Sequence, residues 1–275
     1  MSTQPILIIG STGKTGSRIG KRLRVRGEVV REGSRQAKLP FDWDRPEGWR
    51  AAVAGTKAIY ISYFPDLAFP GAAEKIEALT KIAAEAGVQR LVLLSGRGEL
   101  HAQRCEAIVA DSGVAYTLVR CAWFAQNFTE GYLLPHLLGG AIALPAGEML
   151  EPIVDADDIA DVAVAALTEE GHAGELYEVT GPRLLSFADA AAEVSSVLGR
   201  KIDYRAISLE SFRASMVAIS GAFIADILTE ICRQTLDGRN QFLGDGVQRA
   251  LGREPRDFAD FCRASAAEGF WKAAA

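Results

Sequence analysis

The sequence predicts an α/β protein, a doubly wound parallel sheet with a smaller, mostly helical lobe toward the C-terminus. Three observations predict it. Short, almost wholly apolar runs alternate with helix-length amphipathic segments through the first two thirds of the 275 residues. Strands covered on both faces and joined by crossover helices read this way. A glycine-spaced turn follows the first apolar run directly, and residues 209–262 read mostly as helix, with turns at Gly238 and Gly244-Asp-Gly246.

Taken in order, the strand candidates are Ile6 to Ile9, Glu28 to Ser34, a short Leu39 to Asp42, Ala58 to Ser62, Arg90 to Ser95, Tyr116 to Arg120 and Leu176 to Thr180. Between them, Thr15 to Arg26 carries Ile19, Leu23 and Val25, and Gly71 to Ala86 carries Ile76, Leu79 and Ile82 at helical spacing. Gly27 and Gly87 follow these segments where a left-handed C-terminal cap belongs. After Arg120 the texture changes. Trp123 to Leu138 is rich in bulky side chains and is broken by Gly139-Gly140 and Pro145, as an insertion would be. Asp155 to Leu167 and Ser186 to Leu198 read as capped helices. The length fits one large domain or two lobes. The two-lobe division places 1–130 with 155–182 in a nucleotide-binding domain, and 131–154 with 183–275 in a substrate lobe.

Composition excludes several classes. Hydrophobic residues make up 49% and charged residues 24%, enough apolar surface for a sizeable core. The formal charge of -5, with no Lys/Arg block, argues against a nucleic acid as a direct partner. The N-terminus lacks the basic and apolar regions of a signal peptide. No apolar run approaches the ~18 residues of a membrane span. Cys105, Cys121, Cys232 and Cys262 form neither a Cys-x-x-Cys pair nor a ligand cluster, so reduced thiols in the cytoplasm are expected and no metal. Asp155, Asp157, Asp158 and Asp161 read as a helix cap and first-turn carboxylates rather than a cation site.

The turn itself is Gly10-Ser11-Thr12-Gly13-Lys14-Thr15-Gly16. In this spacing the first glycine permits a tight turn, the second lets backbone approach a pyrophosphate, and the third lets helix and strand pack closely. Free amides at the helix start then face the phosphates. A Walker A loop is excluded, because the glycine it needs five positions before Gly13 is Ile8, inside the strand. Lys14 is expected near the pyrophosphate or in solvent. The second strand ends in Gly33-Ser34-Arg35, where an NAD-specific site usually carries an acid. Arginine can pair with a 2′-phosphate, so NADP(H) is preferred and NAD(H) remains admissible. Two alternatives stand beside this reading: Arg35 as a surface cation, and Glu32 as the ribose ligand if the strand ends sooner.

These residues, together with Phe41-Asp-Trp43, Leu93-Leu-Ser-Gly-Arg97, Tyr116-Thr-Leu-Val-Arg120, Trp123-Phe-Ala-Gln-Asn127 and Asp155-Ala-Asp-Asp-Ile-Ala160, resemble the NmrA-like branch of the atypical short-chain dehydrogenase/reductases. The resemblance spans nearly the whole chain. It implies a Rossmann sheet of about seven strands, with Asp42 near the adenine, Ser62, Tyr63 and Phe64 along the cofactor, and Ser95-Gly96 near the nicotinamide. It also implies that Trp123, Phe124 and Asn127 border a substrate cleft. The Tyr-x-x-x-Lys pair of short-chain dehydrogenases is missing: its places fall at Gly98 and Ala102, and no such pair occurs anywhere in the chain. Two stand-ins for the proton donor are His101, with a solvated or capping residue as its alternative, and Tyr132, with a packing role as its alternative.

Two functions follow. One is an NAD(P)H-dependent reductase of a small apolar, electron-poor acceptor such as a quinone or enone, acting as a monomer or homodimer away from membranes. The other is a non-catalytic redox sensor that binds the dinucleotide and signals to a protein partner. The aromatic and polar lining of the cleft favours the enzyme, unless that lining is a buried core between lobes.

Overall fold

The computed structural model describes residues 4–131 and 133–271. All four side chains of β1 (Ile6–Ile9) are fully buried, as the unbroken apolar run requires of a strand covered on both faces. The glycine-rich turn leads into α1 (Lys14–Val25), which ends at Arg26 before Gly27 in the left-handed region, φ 78°. Then follow β2 (Val30–Gly33), α2 (Trp49–Val53), β3 (Ala58–Ile61), α3 (Ala72–Glu85), β4 (Arg90–Gly96), α4 (Leu100–Ala110) and β5 (Ala115–Cys121). The second half contains α5 (Leu133–Leu138), β6 (Ala141–Leu144), β7 (Leu150–Glu151), α6 (Ala156–Thr168), β8 (Glu175–Val179), β9 (Leu185–Ser186), α7 (Phe187–Leu198) and β10 (Asp203–Ala206). It closes with α8 (Leu209–Ser220), α9 (Ala222–Thr235), α10 (Gly246–Leu251) and α11 (Phe258–Glu268). Asp155 caps α6, and Ser186 with Asp189 forms a capping box on α7.

The main sheet has six parallel strands in the order β2-β1-β3-β4-β5-β8. The order reverses between β1 and β3, so the crevice beyond their carboxyl ends is where a ligand is expected. Helices α1 and α6 cover one face, burying Ile19, Leu23, Ile159 and Val162 against Ile6 and Ile8. Helices α3 and α4 cover the other, burying Ile76, Leu79 and Val109 against Leu7 and Ile9.

The expected strand at Leu39 to Asp42 does not form, and this brings the expected seven strands to six. Pro40 has no N–H to give a ladder, and the chain folds back instead, with Phe41 N–H on the Ser34 carbonyl. The Asp42 carboxylate accepts from the Asp44 N–H, fixing a turn. Phe41 and Trp43 then bury in an aromatic cluster with Trp49 and Tyr63, centroids 4.7–5.5 Å apart.

A second core gathers Phe128, Leu133, Ile142, Phe187, Val194, Phe212, Phe261 and Trp271. Two short sheets support it: β6 beside β10, parallel, and β7 beside β9, antiparallel. Helix α10 returns to the first core, where Val247 packs with β8 and α6. Residues 209–235 are apolar enough overall to resemble a membrane span, which the sequence reading did not expect. Gly221, φ 79°, breaks them into helices of 12 and 14 residues, well short of the ~20 needed to span. They form a hairpin clasped by Arg213 and Asp226, 2.5 Å apart. Helix α9 is apolar on two faces: Ala225 and Cys232 enter the second core, while Ile224 and Ile227 pack on the first.

Candidate active site

The carboxyl ends of β1 to β5 open on one continuous cavity of about 700 Å³. Its first wall is the glycine-rich turn. Gly10 has φ 78°, and a Cβ on Gly16 would lie 2.2 Å from the Gly10 carbonyl oxygen, so helix and turn touch backbone to backbone. Gly13 caps α1 with no side-chain hydrogen bond, which leaves the first-turn amides beside the cavity without an internal cap. The Ser11 hydroxyl is buried with no partner among the described residues. Ser11 and Gly16 do not line the cavity, whereas Gly10, Thr12, Gly13, Lys14 and Thr15 do, and this uncapped helix start fits a dinucleotide's phosphates.

Lys14 lines the cavity and donates to Asn127 Oδ1 at 2.6 Å. Burial holds its ammonium below the usual lysine range, with Glu130 pulling the other way. The Thr15 hydroxyl is committed elsewhere, accepting from Tyr60 at 2.8 Å. Ser34, Arg35, Asp42, Ser62, Tyr63 and Phe64 all border the same cavity, with Arg35 and Phe64 exposed at its rim. Glu32 does not join them: it points outward and pairs with Arg24 at 2.6 Å.

Beyond this half the cavity continues over the ends of β4 and β5. Ser95 and Gly96 form its floor, the Ser95 hydroxyl donating to Glu106 Oε1 at 2.6 Å. Trp123, Phe124 and Asn127 line one side; the Trp123 ring stands edge-on to Phe187, 5.3 Å between centroids. The facing side is α9, through Leu228, Ile231 and Thr235, and then Asn240.

His101 is exposed on α4, near Glu230, and does not reach the cavity. The first turn of α4 directs it to solvent while Ala102 takes the buried place. Tyr132 lies outside the described residues. Gly98 has φ 76° and abuts Asn240, so no proton donor stands at either Tyr-x-x-x-Lys position.

The sequence reading passed over Asp44, exposed at the cavity's edge and paired with Lys75, and three enclosed acids: Asp66, Glu99 and Glu151. Burial raises all three carboxyls above their usual range. Glu151 is pushed up to about 8 by burial, against the pull of Arg97 and a hydrogen bond from the Trp123 N–H. A signal for two of them existed. Asp66 and Glu99 follow the ends of β3 and β4 within a few residues, and ligands of open α/β sheets bind at strand carboxyl ends. Leu228 and Ile231 gave none, being apolar positions on an amphipathic helix.

No protein-family profile matches the chain. It is 30% identical over 284 residues to an NAD(P)H azoreductase of Xenophilus azovorans, covering 95% of this chain and 98% of that one. It is also 30% identical over 285 residues to the (4-alkanoyl-5-oxo-2,5-dihydrofuran-3-yl)methyl phosphate reductase of Streptomyces griseus, covering 96% and 99%. Among solved structures, the NADPH-dependent quinone oxidoreductase QOR2 of Escherichia coli, complexed with NADPH, superposes with a TM-score of 0.76. That alignment covers 94% of this chain and 99% of the other at 21% identity, so the fold is shared.

Proposed function

Because the chain belongs to the NmrA-like branch of the atypical short-chain dehydrogenase/reductases, we propose that its cavity binds NADP(H) and presents a small, apolar, electron-poor acceptor to the reduced nicotinamide. The protein is an NAD(P)H-dependent reductase. A quinone, an enone or an azo compound suits the apolar far wall. The observation that carries this reading is the continuity of one cavity from the Gly10–Gly16 turn to the apolar side of α9.

In this reading the amides of residues 12–15 hold the pyrophosphate, with the Lys14 side chain beside it. Ser34 and Arg35 take the 2′-phosphate, and Asp42, Ser62, Tyr63 and Phe64 line the adenosine and ribose path. NADPH bound there supplies a hydride. The ends of β4 and β5 set the nicotinamide's place through Ser95 and Gly96. Trp123, Phe124, Leu228 and Ile231 exclude water from the acceptor and hold it flat. The second core then acts as the substrate lobe, roughly residues 131–154 and 183–275, with α10 and Phe128 crossing the boundary between lobes. The four cysteines, all buried and unpaired, support a reducing cytoplasmic setting.

The test is direct. Purified protein with NADPH and a panel of quinones, enones and azo dyes should consume nicotinamide absorbance faster than a protein-free control. Binding of NADPH with no turnover across the panel would refute the reading.

A further inference from the structure

The reductase reading leaves one part of the reaction unassigned. An azo group, a quinone or an enone must take up a proton along with the hydride, and the chain lacks the pair that usually supplies it. The structure places a different group at that point. Glu99 precedes the first residue of α4, yet its side chain caps nothing. It turns inward, and a Cβ on Gly96 would lie 2.1 Å from Glu99 Oε1, so the carboxyl lies directly on the strand end at the cavity floor. Asp66 approaches from the β3–α3 loop within hydrogen-bonding reach of Glu99, one oxygen held by the Ala68 N–H at 2.8 Å. Both residues line the cavity.

We propose that Glu99, hydrogen-bonded to Asp66, is the proton donor to acceptors that need one. The proposal rests on the reductase reading. Two adjoining buried carboxyls cannot both ionise, so the pair keeps one proton in an O–H···O bond well above the usual carboxylate range. The surroundings do not oppose this. Glu106 on α4 adds negative charge and is itself engaged by Arg120 and Ser95. Cys105 on the same helix is a neutral thiol, pushed up to about 11 by burial. Arg97 from the end of β4 turns away to Glu178 and Phe242, and Arg239 from the loop after α9 is paired with Asp237.

The step balances. A hydride leaves the dihydronicotinamide with its electron pair and forms a new bond on the acceptor. The Glu99 O–H bond breaks and its proton goes to the acceptor's oxygen or second nitrogen. The acceptor gains two electrons and two hydrogens, the nicotinamide is oxidised, and the carboxylate regains a proton from water.

The deciding experiment compares two acceptor classes in Glu99→Gln. With an azo dye, which needs hydride and proton, kcat should fall ~100-fold or more. With a triarylmethyl cation dye, which takes a hydride at carbon and no proton, it should stay within about threefold. Equal losses with both dyes overturn the proposal, while a wild-type protein inert toward both dyes and toward the quinones and enones of the panel overturns the reductase reading and the proposal with it. Two further measurements do not depend on the folding of that variant, and the first does not depend on turnover. The infrared spectrum of cofactor-free Glu151→Gln protein, which lacks the other carboxyl held protonated in this cavity, should still contain a protonated carboxyl band at neutral pH; its absence overturns the assignment. Asp66→Asn removes a charge that keeps the Glu99 proton on, so the alkaline limb of the azo-reduction pH profile should move to lower pH; an unmoved limb also overturns it.

Discussion

At the glycine-rich end of the cavity, proposed for the cofactor, backbone sets the shape: turn amides, an uncapped helix start, and glycines whose Cβ atoms would strike main-chain oxygen. At the end proposed for the acceptor they are side chains brought from far along the chain, Trp123 from beyond β5, Leu228 and Ile231 from α9, Asp66 and Glu99 from two loops and Glu151 from β7. The first half is rigid by construction and has little freedom to change its residues. The second can be rebuilt one side chain at a time without disturbing the sheet. This difference suits a scaffold that keeps one reductant and varies what it reduces.

Mutations that strike the two halves separately would break or sharpen this contrast. The largest effect is expected at Gly16→Ala, where the new methyl would lie 2.2 Å from a main-chain oxygen that cannot move aside. A loss on the order of 4 kcal/mol or more is expected, together with NADPH binding, as followed by urea unfolding and cofactor titration.

Next comes Glu151, on the acceptor side. Its folded carboxyl titrates at about 8 against an ordinary 4.5, so the native state holds a proton that the unfolded chain releases. Its stabilising effect is therefore full below pH 4.5 and is lost as pH rises toward 8. Glu151→Gln should remove on the order of 3 kcal/mol of that fall, read as a smaller difference in unfolding free energy between pH 5 and pH 8. An unchanged difference would mean that Glu151 is already ionised in the native protein.

Arg35→Asp returns to the cofactor half, at its side-chain rim. NADPH affinity should drop ~30-fold, about 2 kcal/mol, with NADH affinity changed less than about threefold in the same titration. Equal losses would remove Arg35 from the 2′-phosphate. The smallest effect is expected at His101→Ala, below about 0.5 kcal/mol in stability and within twofold in turnover, because the imidazole stands in solvent outside the cavity.

The same contrast governs what the sequence could reveal. The glycine-rich turn was legible because its backbone conformation is written in glycines at fixed local spacing, directly after an apolar strand. The short run at Leu39 to Asp42 was misread because Phe41 serves a folded-back aromatic cluster while Leu39 is exposed, and a backbone bond from Phe41 to Ser34 decides that, not β-propensity. Of the far end of the cavity, Ser95, Gly96, Trp123, Phe124 and Asn127 were legible as lining residues. Leu228, Ile231 and Asn240 reach it by a long-range packing of the helical hairpin that no local pattern encodes. Asp66 and Glu99 were readable in principle, since both follow strand ends, but an acid in a loop is ordinarily solvated and nothing local announces its burial.

Arg97 gives the two halves a mechanical relation. Its guanidinium, at the end of β4, donates to the carbonyls of Asn240 and Phe242 and stacks on the Phe242 ring at 4.1 Å. The Asn240 side chain in turn bonds the Arg97 carbonyl. One strand thus supplies the floor of the slot and the rivet for its opposite rim. The width of the slot is then gauged within the reach of a single residue, and any motion that widened it would first have to unfasten that rivet.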